Sequence, residues 1–134
     1  MPTGTLMGYA LMIIGNVADH TYVVSSHGQI WPCHGRSTGG TLICRGTGNT
    51  AEAACLSQTN GQAGIVYGIT GVCHQTANRI LLPSGQTVSR AHGYRGSCYM
   101  WGTYGLEITT GRCYSPPSNP WPELQTCRTT HTHP

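Results

Sequence analysis

The chain contains no lysine: all seven of its basic residues are Arg, set against four acids, and only 8% of its 134 positions are charged. The arginines are dispersed from Arg36 to Arg128 without a dense basic run, which argues against nucleic acid as a partner. Most of them read as ordinary solvated side chains, and the formal charge of +3 suits an anionic surface such as a bacterial cell wall. No stretch approaches the roughly 18 apolar residues of a membrane span, so membrane insertion is not expected. Residues Leu6 to Ile14 are apolar enough for a signal-peptide core, and Asn16-Val17-Ala18 faintly resembles a cleavage site, but no Lys or Arg precedes them. They are read instead as a core strand. Cys-x-x-Cys and His-x-x-x-His pairs are also missing, so Cys33-His34 and Cys73-His74 offer zinc-type ligands at the wrong spacing. No metal and no cofactor is called for.

What the chain has in quantity is Gly (19), Pro (8) and Cys (7), with 38% hydrophobic residues. Its length fits one domain, 1–134, with a modest core. The glycines and prolines make it loop-rich, either α+β or mostly β. Seven cysteines in so short a chain suggest an oxidising destination, where pairing offsets a small core. Cys33, Cys44, Cys55, Cys98, Cys113 and Cys127 lie in Gly-, Ser-, Pro- or Thr-rich surroundings that suit disulfide staples. An odd count leaves one thiol over, and Cys73 is the residue expected to stay unpaired.

Along the chain, Tyr9 to Ile14 reads as a strand buried on both faces and ended by Gly15-Asn16. His20 to Ser26 and Gln29 to His34 form a hairpin around His27-Gly28, which returns His34 near His20. Residues 35–64 read as mainly a stapled loop excursion, interrupted by Thr41 to Cys44 and by a short helix near Ala51 to Leu56. Cys73, Ala77, Ile80 and Leu81 recur at helical spacing until Pro83, which places Cys73 in a first helical turn on the inward face. Further strands are expected over 86–90, 94–104 and 106–109. Ser115 to Pro122 reads as an extended, polyproline-like arm, with a frayed end beyond Cys127.

A thiol at a helix N-terminus is favoured as thiolate by the helix dipole and the unsatisfied first-turn N–H groups. A neighbouring imidazole can take its proton, and a thioester intermediate then divides amide cleavage into two steps. His20, at the start of a strand, is the first choice for that base and His92 the competitor. His74 adjoins Cys73 but projects elsewhere from the helix, which leaves it a supporting or substrate-facing role. Gln75 and Asn78 point away from the Cys73–Ala77 face. Trp31 and Tyr67, with His74 and His92, are candidates to line a substrate cleft.

Asp19-His20-Thr21-Tyr22-Val23 on an early strand, followed by Gly71-Val72-Cys73-His74-Gln75-Thr76-Ala77-Asn78 opening a helix, resembles the circularly permuted papain-like hydrolases. These include NlpC-type cell-wall peptidases and lecithin:retinol acyltransferase relatives. The resemblance covers residues 9–82. It implies an α+β fold in which a small antiparallel sheet packs on the helix that starts at the nucleophile. It also implies Cys73 as nucleophile, His20 as base, and His34, or Gln29, as the residue orienting the imidazole. The expected activity is that of a cysteine peptidase or amidase on peptidoglycan or another peptide, in a secreted or periplasm-acting antibacterial effector with an inhibitor or immunity protein as partner. Acyl transfer and deamidation share the same thioester chemistry. A disulfide-stapled binding module without a reactive thiol is the non-enzymatic alternative.

Overall fold

The computed structural model describes residues 3–14 and 18–131. Gly15 and Asn16, expected to end the first strand, lie outside them. Four antiparallel strands form one sheet in the order β3-β2-β1-β4: β1 Thr3–Ile14, β2 Ala18–Ser25, β3 Ile30–Trp31 and β4 Thr41–Asn49. The pairing sets Gly8 opposite Val23, Ala10 opposite Thr21, and Met12 opposite Asp19. Side chains alternate across a strand, so Asp19, Thr21 and Val23 share one face and His20 and Tyr22 the other.

Helix α2, Cys73–Leu81, packs on the Asp19–Val23 face, and all nine of its residues are buried. Gly8 makes the approach possible, because a Cβ there would meet Leu81 at 3.3 Å and Val88 at 3.1 Å. The opposite face carries stacked Tyr9 and Tyr22, with ring centroids 5.5 Å apart, under the 32–40 loop. That loop is pinned where the Gly40 N–H donates to the Tyr22 hydroxyl at 3.0 Å. β1 is longer than expected, and its outer end is not buried on both faces: Met12 and Ile13 are exposed.

Three expectations are corrected. Residues 41–49 are a nine-residue strand paired with β1, not a loop. Their glycines mark close approach: a Cβ at Gly48 would lie 2.8 Å from the Pro83 backbone, and one at Gly46 3.0 Å from the Ser84 carbonyl. Residues 94–104 contain a helix, α3 Tyr94–Trp101, rather than a strand. Only the helical i, i+3 spacing lets Tyr94 reach Asn78 and Ser97 reach His74 together. The stretches 86–90 and 106–109 likewise form no strand, beyond an isolated bridge between Leu106 and Cys113.

The C-terminal segment is docked. Ser115 and Asn119 exchange backbone hydrogen bonds at 2.8 and 3.1 Å, closing the expected polyproline arm into a turn. Trp121 is fully buried with Leu56, Leu124 and Cys127 in a second core. Helix α4, Pro122–His131, begins on a proline, which has no N–H to leave orphaned in a first turn. Its Cys127 is bonded to Cys55 of α1, Thr50–Leu56. The other expected staples are free thiols, for local reasons in two of them: Cys33 is sealed in the main core and donates to the Trp31 carbonyl, and Cys44 faces Gly8 beneath β4.

Candidate active site around Cys73

Cys73 is the first residue of α2, following Val72 in extended conformation. Gln75 fixes this end, its Oε1 accepting from the Val72 N–H at 3.0 Å. The thiol is 5% exposed and donates a long hydrogen bond of 3.9 Å to the Asp19 carbonyl. Among the described residues no imidazole is hydrogen-bonded to it. Burial pushes the thiol above its ordinary value, with the Asp19 charge acting in the same direction. Hydrogen bonding to Thr21 and to the His74 backbone N–H pulls it back without cancelling the effect. The resting residue is therefore a neutral thiol, and the helix terminus alone does not make it a thiolate.

His20 lies on the other face of β2, and its Nε2 donates to the Pro32 carbonyl at 3.0 Å. This bond puts the proton of the neutral ring on Nε2 and leaves Nδ1 as the basic nitrogen. Gly35 seals the ring: a Cβ there would come within 2.5 Å of it. Burial lowers the His20 pKa, against the opposing pull of backbone bonding at Pro32 and Arg36. His34, in left-handed conformation at φ 74°, sits near enough for its charge to couple with that of His20, and burial lowers its pKa too. It does not orient His20; the Pro32 carbonyl has that role. The His34 ring packs on Tyr67, centroids 5.1 Å apart, and its buried Nε2 has no hydrogen-bond partner among the described residues. Tyr67 is in turn close enough to Cys73 for their charges to couple. Gln29, the other candidate orienting residue, is turned away, accepting from the Ser25 hydroxyl.

His74 is buried at the centre of a polar chain rather than facing substrate. Its Nε2–H donates to Asp19 Oδ1 at 3.2 Å, and its Nδ1 accepts from the Ser97 hydroxyl at 2.8 Å. Gln75 Nε2 donates to the same hydroxyl, and the second Asp19 oxygen takes the His92 backbone N–H at 2.8 Å. Asp19, His74 and Ser97 have the composition of a serine-hydrolase triad, but Ser97 is 8% exposed and its hydroxyl is already occupied by Gln75 and His74. The chain instead clasps α2 and α3 to β2. Asp19 and Ser97 were not singled out from the sequence. One signal was available for Asp19: it is one of four acids in the chain, and strand alternation sets it on the face away from His20.

The remaining cleft candidates divide. Trp31 is buried in the main core, paired through β3 with Val23, and lines a cavity of about 440 Å³ with Pro32 and Ser57 that does not include Cys73 among its lining residues. The His92 side chain is 63% exposed, with Nδ1 3.9 Å from Asp19. Among the described residues no group of three or more His, Cys, Asp or Glu side chains is arranged to hold a metal. No helix among them is long and apolar enough to cross a membrane. Comparison with family models, curated proteins and solved structures finds no match to this chain.

Burial lowers the pKa of His20, His34 and His74 alike. The unfolded chain therefore binds more protons than the folded one below about pH 6.5, the ordinary imidazole value. The stability tied to these rings is complete above that value and is lost as pH falls through the lowered folded values. Thermal melts on acidification from about pH 7.5 should show a falling Tm, and His74→Gln should flatten part of the slope. A Tm that holds or rises on acidification contradicts this assignment.

Proposed function

We propose that the chain is a cysteine hydrolase acting on amide or peptide bonds, with Cys73 as nucleophile and peptidoglycan peptides as its substrate class. The observation that carries the reading is the position of Cys73: first residue of a wholly buried helix, held by the Asp19–His74–Ser97 chain to the strand that also bears His20. The reaction starts from a neutral thiol. As sulfur bonds to the substrate carbonyl carbon and the C–N bond breaks, the thiol proton passes to the leaving amine. Water attacks the thioester and frees Cys73. First-turn N–H groups of α2 are the natural donors to the oxyanion. The Cys55–Cys127 bridge supports action in an oxidising compartment, the periplasm or outside the cell.

The test is iodoacetamide labelling of the native protein, mapped to peptides across the pH range, together with turnover of purified peptidoglycan. Labelling of Cys73 should climb steeply on the alkaline side, because burial holds the thiol up. Cys73→Ala should reduce turnover by at least about 10⁴-fold. A Cys73 that stays inert at alkaline pH, or turnover that survives Cys73→Ala, defeats the reading.

A further inference from the structure

Each acid of the chain lies beside a basic partner. Glu52 pairs with Arg128 at 3.5 Å, Glu123 lies beside Arg79, Glu107 lies beside Arg112, and Asp19 holds His74. Four arginines remain, and among the described residues Arg36, Arg45, Arg90 and Arg95 form no ion pair with a carboxylate. Three of these four face one place. A cavity of about 590 Å³ is lined by Arg36, Arg90 and His92 over the ends of β1 and β4. A second, of about 610 Å³, is lined by Arg45 and Arg90 with Gln86, Thr87 and Ser89. The two share Ile43 and Arg90, so they form one furrow along β4.

We propose that this furrow binds an acidic peptide segment through Arg36, Arg45 and Arg90. Its one carboxylate, Asp19, does not neutralise them: that side chain is 2% exposed, and both its oxygens are taken by His74 Nε2 and the His92 N–H. Arg90 is held in place by its own bond to the Ile43 carbonyl at 3.1 Å, which leaves its other N–H donors for a ligand carboxylate. The neutral hydrogen-bonding side chains between the arginines, Gln86, Thr87 and Ser89, suit peptide amides. No Tyr or Trp lines the furrow, so it lacks the stacking platforms with which proteins hold single-stranded nucleic acid. Asp19 belongs both to the furrow and to the Cys73 site, since its carbonyl accepts from the thiol. As a statement about substrate the inference rests on the proposed hydrolase; as a statement about binding it does not.

Fluorescence anisotropy on the Cys73→Ala protein separates the two, because binding then needs no turnover. A labelled oligoglutamate should bind in a salt-sensitive way and more tightly than oligoglutamine. Arg36→Gln and Arg45→Gln should each weaken binding about 3-fold, and the triple variant with Arg90→Gln roughly 30-fold. Arg95→Gln should change nothing. Circular dichroism checks the fold of each variant, and the two single variants at exposed positions keep the test valid if the triple variant unfolds. Oligoglutamate binding no better than oligoglutamine, equal weakening by Arg95→Gln, or tighter binding of a single-stranded oligonucleotide overturns the proposal.

Discussion

Asp19→Ala should destabilise the protein by about 3 kcal/mol, because it leaves two buried donors, His74 Nε2–H and the His92 N–H, without acceptors. For a chain of this size that corresponds to a fall of roughly 10 °C in Tm. Asp19→Asn keeps one acceptor and turns an amide toward a donor, so it should recover less than half of the loss. The effect should reach beyond stability. With Asp19 removed, the tie between the first turn of α2 and β2 is cut, and the pH profile of Cys73 alkylation should move to lower pH as solvent reaches the sulfur and the neighbouring charge is lost. Urea melts and labelling on the same samples measure both, and a variant within about 0.5 kcal/mol of the parent would show that the buried chain is incidental.

Arg79→Met should have the largest effect on stability, about 3–5 kcal/mol. The Arg79 guanidinium is 2% exposed and donates to the carbonyls of Tyr104 and Ala63, each at 2.7 Å. It also lies over the rings of Trp121 and Tyr114, 4.9 and 5.4 Å from their centroids. Burial lowers its pKa to about 10, with the Glu123 charge opposing the shift. Two positive-φ glycines, Gly64 and Gly105, make room for it, since a Cβ on either would come within 3.4 Å of the guanidinium nitrogens. Arg79→Lys should fail to rescue, because one ammonium does not span two carbonyls and two rings. Full stability in either variant, read from urea melts, contradicts this account.

The parts of the fold legible in the sequence are those set by local period and punctuation. The β2–β3 hairpin around His27-Gly28 and the helix from Cys73 to the residues before Pro83 follow from them, and both are present. What failed was set by distant packing. Gly46 and Gly48 look like loop residues until Pro83 and Ser84 are seen lying against them. Tyr94 to Trp101 carries β-forming aromatics, yet its partners on α2 demand helical spacing, so tertiary contacts override propensity. Gln75 and Asn78 seemed turned away from the working face because one face was assumed to be buried. In the structure the C-terminal half encloses the other face as well: Asn78 bonds to Tyr94 and Thr103, and Gln75 to Ser97 and Gly102. The same limit applied at the site. Local sequence placed Cys73 at a helix start, but the neutrality of its thiol comes from burial against β2, which no local motif reports.

The bridge between Cys55 and Cys127 joins positions 72 residues apart, and the whole of α2, α3 and the exposed 108–112 turn lies between them. Residues 55–127 thus form a covalent ring, and the strands of the sheet all lie on the part of the chain that precedes it. A peptidase that cuts that turn once opens the ring without dividing the molecule, and the piece bearing Cys73 stays tethered to the piece bearing Trp121. Such a cut would leave the molecule in one piece for as long as the disulfide stays oxidised.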